Sequence, residues 1–175
     1  MNGGIVLDFF IKVNPITWHE VLVRLVAAAV IGAVVGIDRE YKNRPAGTRT
    51  HSLVCLGAAV VAVLEGLLTA EMFQSSVSGE VTLSLGRMAA QVISGIGFLG
   101  AGTIFVAQKK VSGLTTAAGL WNVACLGLMI GFGYYWLGLV VAGIVLAVLV
   151  VLQKVIHVNT VKRVEVRFTN RSSAL

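Results

Sequence analysis

Five apolar stretches dominate this 175-residue chain and restrict what it can fold into. They cover residues 21–37, 51–69, 87–107, 116–133 and 135–153. Each is close to the roughly 20 apolar residues that an α-helix needs to cross the hydrocarbon core of a bilayer. Hydrophobic residues make up 57% of the chain and charged residues only 13%, whereas soluble domains carry roughly 25% charge. The sequence therefore predicts an all-α, polytopic membrane protein with five transmembrane helices.

The basic residues are sorted between the two sides of the predicted bundle. Only Lys12, Arg24 and Arg87 among the 14 lysines and arginines lie outside the segments 38–50, 108–115 and 154–175. Because short loops rich in lysine and arginine stay in the cytoplasm, this pattern predicts an outside amino terminus and a cytoplasmic carboxyl end. The net charge of +6 is then explained by membrane topology, and we expect no nucleic-acid partner.

The chain divides into a membrane domain and a short tail. No linker or low-complexity tract interrupts residues 1–153, so we expect one five-helix domain there. Residues 154–175 form a basic tail in which KRVEVRF, 162–168, alternates charged and apolar residues with the period of a β-strand. One strand without partners is not a domain. The tail is interpreted as the start of a soluble domain.

The glycine-dense stretch SGIGFLGAGTIF, residues 94–105, requires a physical reason. Glycine inside a helix costs roughly 1 kcal/mol relative to alanine. One explanation is close helix packing through small residues, for which the chain offers Gly32, Gly36, Gly95, Gly97, Gly100, Gly102, Gly127 and Gly131. The alternative is a helix that is bent or unwound around 95–102, where free carbonyls bind a cation.

Charged and amide side chains inside the predicted spans are candidates for function, because such groups are costly in a membrane. Glu65 lies at a depth comparable to that of Arg24, and Arg87 is close to the same side. Glu65 is either a proton or cation site or one half of an ion pair that fixes two helices. Gln91 and Asn122 are further polar candidates, and Asn122 is expected to bond to another helix or to line a permeation path.

The loop IDREYKNRPAGTRTH, residues 37–51, combines both signs of charge with turn-forming residues. Asp38 and Glu40 offer hard oxygen ligands suited to Mg²⁺, the one cofactor that we consider, and their metal site is a hypothesis. The neighbouring basic residues are expected either to neutralise these carboxylates or to contact anionic membrane lipid. Polar candidates in this loop are Asp38, Arg39, Glu40, Arg44, Arg49 and His51.

Catalytic motifs are not apparent. The sequence contains no nucleophile elbow, phosphate-binding loop or HExxH zinc motif. We expect a protein that is not an enzyme.

Three stretches together resemble the MgtC/SapB family of bacterial membrane proteins. They are RLVAAAVIGAVVGIDREYKNRPAGTRTHSLVCLGA at 24–58, RMAAQVISGIGFLGAGTIF at 87–105 and GLTTAAGLWNVACLGLMIGFG at 113–133. The positions matching the family signatures include most of the polar candidates above, together with Pro45, Gly47, Thr50, Gly113, Thr115, Thr116 and Trp121. One departure is SLGR at 84–87, where members often carry an acidic residue and proline before the arginine.

The resemblance implies a location and a role. It implies a multi-pass protein of the bacterial inner membrane that supports adaptation to low magnesium and, in pathogens, virulence. Some members act through other membrane proteins such as the ATP synthase, so we expect such partners and a homodimer. The alternative is a Mg²⁺ or H⁺ transporter or channel that uses Glu65, Asn122 and the glycine-rich segment. A third hypothesis is a cytoplasmic cation sensor built on Asp38 and Glu40.

Overall fold

Helices account for nearly all of the fold. A computed structural model describes residues 16–75, 86–107 and 110–155, so the predicted strand in the tail lies outside the described residues. In chain order the elements are α1 (Trp18–Tyr41), α2 (Thr48–Ser75), α3 (Arg87–Gly102), β1 (Phe105–Ala107), β2 (Lys110–Ser112), α4 (Leu114–Gly131) and α5 (Tyr135–Val155). The all-helical architecture predicted from the apolar stretches is confirmed. The five helices coincide with the five stretches, and most boundaries shift by only a few residues.

The third helix is shorter than predicted. A helix over 87–107 was expected, but α3 ends at Gly102. The Thr103 backbone N–H and side-chain hydroxyl both donate to the Gly100 carbonyl, at 3.0 and 2.8 Å, and so tighten the last turn. The chain then forms an antiparallel ribbon in which Val106 pairs with Val111.

The glycine-dense part of α3 is a regular helix. Residues 95–102 lie within the continuous helix Arg87–Gly102, where carbonyls accept hydrogen bonds from the following turn. The hypothesis of an unwound, cation-binding segment at 95–102 is therefore wrong. Glycine did not break the helix here because the run is flanked by apolar residues that favour helix in the bundle.

Three helices among the described residues are long and apolar enough to cross a membrane. They are Trp18–Tyr41, Thr48–Met72 and Leu114–Gly131. The apolar part of α5, Tyr135–Val151, is shorter, and the 16 residues of α3 extend about 24 Å at 1.5 Å per residue. A membrane protein is thereby supported, whereas five crossings and the orientation of the termini stay predictions.

Helix α4 is the centre of the bundle. It contacts α1, α2, α3 and α5, and 56% of its apolar window is buried, compared with 22% for α1. Its buried side chains include Leu120, Val123, Leu126 and Ile130. Because α4 is surrounded, polar groups at its two ends are enclosed by neighbouring helices.

Helix α1 approaches α2 through two glycines. A Cβ placed on Gly32 would lie 2.6 Å from the His51 carbonyl oxygen, and one on Gly36 would lie 2.5 Å from the Thr48 Cα. Real Cβ atoms do not approach backbone this closely. The spacing of four residues places both glycines on one helix face, and this face sets the distance between the two backbones.

Helix α4 also approaches α2 through two glycines, at residues further along α2. A Cβ on Gly127 would collide with the Cys55 carbonyl, and one on Gly131 would lie 2.5 Å from the Ala59 carbonyl oxygen. Helix α2 therefore packs closely against glycine pairs of both α1 and α4. This close approach buries the polar side chains at the beginning of α2.

The glycines of α3 behave differently. A Cβ placed on Gly100 would lie 3.4 Å from the Ala117 Cβ of α4, which is ordinary contact between the two helices. Around Gly95, Gly97 and Gly102, no neighbouring atom of the described residues lies within 4 Å of a Cβ position. The prediction that these three glycines pack helices together is not met by any contact within the described part of the chain.

Candidate functional site

A buried polar cluster lies where α1 ends and where α2 and α4 begin. We call Arg39, His51 and Thr116 the Arg39 cluster. Their exposed fractions are 1%, 0% and 2%. Arg39 Nη2 donates a hydrogen bond of 3.0 Å to Thr116 Oγ1. A positive charge is therefore enclosed between three helices, which is unusual because charged side chains are rarely fully buried without a partner.

The loop between α1 and α2 determines this placement. Asn43 and Ala46 adopt positive φ angles of 49° and 59°, which turn the chain sharply. The Glu40 carboxylate accepts a hydrogen bond of 2.9 Å from the Thr48 N–H and so ties the end of α1 to the start of α2. Gly47 lies against this carboxylate, because a Cβ placed on Gly47 would lie 3.0 Å from Glu40 Oε2. The loop thus joins the end of α1, which carries Arg39, to the beginning of α2, which carries His51.

Several nitrogen atoms of the cluster lack partners. Arg39 Nε, Arg39 Nη1 and His51 Nε2 are buried and have no hydrogen-bond partner among the described residues. His51 Nδ1 lies 3.0 Å from the Gly47 carbonyl oxygen. Since a carbonyl only accepts, Nδ1 must carry the proton of a neutral imidazole. The free Nε2 is then an acceptor in the neutral ring and a donor in the charged ring.

The two carboxylates nearest in sequence are engaged elsewhere. Asp38 Oδ1 forms an ion pair with Lys42 Nζ at 2.7 Å, and Lys42 also donates to the Leu149 carbonyl of α5 at 3.4 Å. Glu40 bonds to Thr48, as described above. The carboxylates therefore neutralise or cap other groups, and the Arg39 guanidinium has no acidic partner among the described residues.

The predicted metal ligands have separate partners. Asp38 faces Lys42, whereas Glu40 faces the backbone of Thr48. The described residues contain no group of three or more histidine, cysteine, aspartate or glutamate side chains that could hold a metal ion. A Mg²⁺ ion bound by one or two carboxylates and several waters stays a prediction at these positions.

Arg24 and Glu65 lie at the other end of the bundle, but not as an ion pair. Arg24 Nη1 donates to the Gly131 carbonyl oxygen at 2.9 Å, and its buried Nε has no partner among the described residues. Glu65 accepts hydrogen bonds from the N–H groups of Met88 and Ala89, at 3.3 and 3.0 Å. The predicted Arg24–Glu65 pair is wrong because each side chain satisfies a helix terminus instead.

Asn122 also differs from expectation. We predicted a bond to another helix, but its Nδ2 donates to the Ala118 carbonyl one turn earlier in α4, at 2.9 Å. Polar side chains in apolar helices commonly bond backward in this way when no partner is in reach. Asn122 is thus satisfied within its own helix.

The remaining predicted polar residues are on the surface. Arg44 and Arg49 are exposed and line an open depression of about 760 Å³ beside Pro45, Gly47 and Thr48. Arg87 and Gln91 are exposed on α3. The depression adjoins the Arg39 cluster through Gly47, which lines it and whose carbonyl oxygen lies 3.0 Å from His51 Nδ1.

Thr116 and Gly119 complete the cluster but were not among the predicted site residues. Thr116 binds Arg39, and a Cβ on Gly119 would lie 3.5 Å from His51 Nε2. The two positions are three residues apart, so they share one face of α4. A threonine and a glycine on one face of an otherwise apolar span were the available signal, but only the packing of α1 and α2 reveals what they contact.

Helices long and apolar enough to span a bilayer, close glycine packing and buried charges at helix ends define a helical membrane protein. The family model described as the MgtC family matches residues 25–158. This match covers all of α1 to α5 apart from the first seven residues of α1. The chain belongs to the MgtC family.

Curated relatives agree with this assignment. The chain is 38% identical over 120 residues to the "Putative magnesium transporter YhiD" of Escherichia coli (strain K12), covering 69% of this chain and 54% of that protein. It is 42% identical over 114 residues to "Protein MgtC" of Salmonella typhimurium (strain LT2), covering 65% and 44%. It is 40% identical over 134 residues to "Protein MgtC" of Brucella abortus (strain 2308), covering 77% and 52%.

The chain therefore spans about half the length of the curated relatives it matches. No solved structure matches it.

Proposed function

We propose that this protein supports adaptation to low magnesium by modulating partner proteins in the bacterial inner membrane. Membership of the MgtC family and similarity to a protein named as a putative magnesium transporter support the magnesium-related part of this role. In this proposal the chain crosses the membrane five times, with its amino terminus outside and its carboxyl end in the cytoplasm. The partners are other membrane proteins, such as the ATP synthase, and a second copy of the chain.

The observation that carries the proposal is the exposure of Gly95 and Gly97 on α3. Gly95 and Gly97 have no neighbouring atom of the described residues within 4 Å of their Cβ positions, and Phe98 beside them is 83% exposed. In lipid, helices associate where small residues let two backbones approach, because apolar side chains alone gain little over lipid contact. A helix with exposed glycines that have no close neighbour in the described part of its own bundle is suited to receive another helix.

A substitution at Gly97 tests this role. Gly97→Leu should abolish capture of partner membrane proteins, and growth support in low magnesium, because the side chain keeps a second backbone away. Gly143→Leu on α5 is the matched control and should retain both properties, since Gly143 also has no atom of the described residues within 4 Å of its Cβ position. Membrane cross-linking followed by purification measures capture. Equal capture by wild type and Gly97→Leu would contradict the proposal.

A transporter is the second candidate function, favoured by the name of the Escherichia coli relative and by the buried carboxylate of Glu65. In that case the purified protein in liposomes should move Mg²⁺ or protons down a gradient. Glu65→Gln should stop the flux while the helices still insert. Absence of flux under both a gradient and a membrane potential would remove this candidate and leave the modulator.

A further inference from the structure

Arg24 and Arg39 of α1 contact opposite ends of α4. The helix dipole favours a positive charge at only one of these ends. The helix macrodipole makes the carboxyl end of a helix negative and the amino end positive. Arg24 donates to the Gly131 carbonyl at the negative end. Arg39 bonds to Thr116 in the first turn, at the positive end. A buried cation at the amino end of a helix is electrostatically unfavourable unless an anion lies between them.

The amino end of α4 has no cap of its own. Its N-cap is Gly113, which has a φ of +93° and no side chain to accept a hydrogen bond from the first turn. Uncapped helix amino ends are anion-binding positions, because their N–H groups point outward and the dipole favours negative charge. Here the buried Arg39 guanidinium and His51 imidazole face the same turn and a half of α4.

The unpartnered donors require an acceptor. Nε and Nη1 of a guanidinium carry three N–H groups, and all belong to a side chain that is 1% exposed. Arginine stays charged in proteins, so the cluster cannot relieve this cost by losing a proton. Buried charges persist where they are paired and hydrogen-bonded. A ligand that suits these donors is negatively charged and has several acceptor atoms.

We propose that the Arg39 cluster binds a small oxyanion that carries a hydroxyl group, such as hydrogen phosphate. Its charged oxygens would accept from Arg39 and from the first turn of α4. Its hydroxyl would donate to His51 Nε2, which is an acceptor because Nδ1 donates to Gly47. Chloride has no hydroxyl and a single centre, whereas the free Arg39 donors are on two nitrogens. This site is independent of the proposed magnesium-related role.

The charges lining the neighbouring depression would attract such an anion. It is lined by Arg44 and Arg49, whose two positive charges exceed the single negative charge of Glu40 in the same lining. Glu40 is also engaged with Thr48. Basic residues at the mouth of a site raise the local concentration of anions. Gly47 belongs to this lining, and its carbonyl oxygen accepts a hydrogen bond from His51 Nδ1.

Binding of inorganic phosphate to the full chain, purified in neutral detergent without phosphate, tests the site. Equilibrium dialysis and thermal unfolding should show saturable phosphate binding. Sulfate has similar size but no hydroxyl at neutral pH, and should bind about ten-fold more weakly through loss of one hydrogen bond to a charged ligand. Equal effects of phosphate, sulfate and chloride at matched ionic strength would overturn the proposal.

Variants locate the binding. His51→Asn keeps a donor for the Gly47 carbonyl but removes Nε2, and should weaken phosphate about ten-fold and erase its preference over sulfate. Arg39→Gln should abolish binding, whereas Arg24→Gln at the other end of α4 should retain it.

A fallback variant is available if Arg39→Gln does not fold. Gly119→Ala fills the space beside His51 Nε2 and should weaken phosphate binding, with Gly143→Ala as its control. Wild-type affinity in His51→Asn would sink the assignment.

The same chemistry occurs in free phosphate and in a phosphomonoester lipid headgroup. Bicelles containing phosphatidic acid, compared with pure phosphatidylcholine, distinguish the two sources. The site is assigned to the lipid if phosphatidic acid stabilises the protein, this effect requires Arg39 and His51, and free phosphate binds weakly. Stabilisation by free phosphate in both bicelles assigns it to the soluble ion.

Discussion

The amino ends of α3 and α4 begin alike and are completed differently. Both follow a glycine N-cap with a positive φ, 80° at Gly86 and 93° at Gly113, and neither glycine offers a capping side chain. At α3 the Glu65 carboxylate, brought from α2, accepts from the first N–H groups. At α4 the enclosed side chain is Arg39, with the sign of charge reversed. The first N–H groups of α3 are thus capped by a carboxylate of the same chain. The amino end of α4 faces a cation and is suited to bind an anion from outside the chain.

The largest effect is expected from Gly113→Ala. A Cβ there would collide with the Thr103 carbonyl, and a left-handed residue with a side chain adds strain. Together these should cost about 3 kcal/mol. Unfolding of the variant by denaturant in bicelles, compared with wild type, measures the loss. A change near zero would show that the α4 start can shift without cost.

Glu65→Ala should have the next largest effect, because it removes the anion that completes α3. Two backbone N–H groups, of which the Ala89 group is buried, would lose a charged acceptor, at a cost of about 2–3 kcal/mol in the free energy of unfolding. Glu65→Gln keeps one acceptor oxygen and should lose roughly half of that. The same unfolding measurement separates the two variants. If Ala and Gln are equally stable, the carboxylate does not cap α3.

Thr116→Asp would convert the start of α4 into a copy of the α3 arrangement. The new carboxylate would lie beside Arg39 and within the first turn of α4, so it should stabilise the fold by about 1–2 kcal/mol. It should also remove any dependence of the melting temperature on phosphate. A variant that is less stable than Thr116→Ala would contradict the view that this end lacks an anion.

Gly86→Ala should have the smallest effect and provides the counterpart to Gly113→Ala. No atom of the described residues lies within 4 Å of a Cβ at Gly86, so only the left-handed φ opposes the substitution, at about 1 kcal/mol. The difference between the two glycine variants isolates the collision with Thr103. Equal losses would mean that backbone strain alone determines both.

Local sequence patterns were sufficient for the helices and for part of their packing. Long apolar runs predicted the positions of α1, α2, α4 and α5, because a helix in lipid must satisfy its backbone internally. Gly32, Gly36, Gly127 and Gly131 were predicted to let helices pack closely, and all four lie at close backbone contacts. The same reasoning overextended α3 to 107, since apolar residues also form the ribbon at Phe105–Ala107.

The partners of the buried charges could not be predicted from spacing. Arg24 and Glu65 have comparable depths in antiparallel helices, which favoured an ion pair. The bundle instead places Arg24 at the end of α4 and Glu65 at the start of α3. Which helix end faces a charge depends on how α1, α2 and α4 rotate about their axes, and that rotation is set by glycine contacts between residues distant in sequence.

By itself the sequence determined that this chain is a helical membrane protein of the MgtC family, because apolar length and signature residues are properties of the chain alone. Only the tertiary structure decided that Arg39 is buried against the amino end of α4 without an acid, while Glu65 completes α3. The reason is that burial and pairing belong to the space between helices, and that space exists only once the helices have packed.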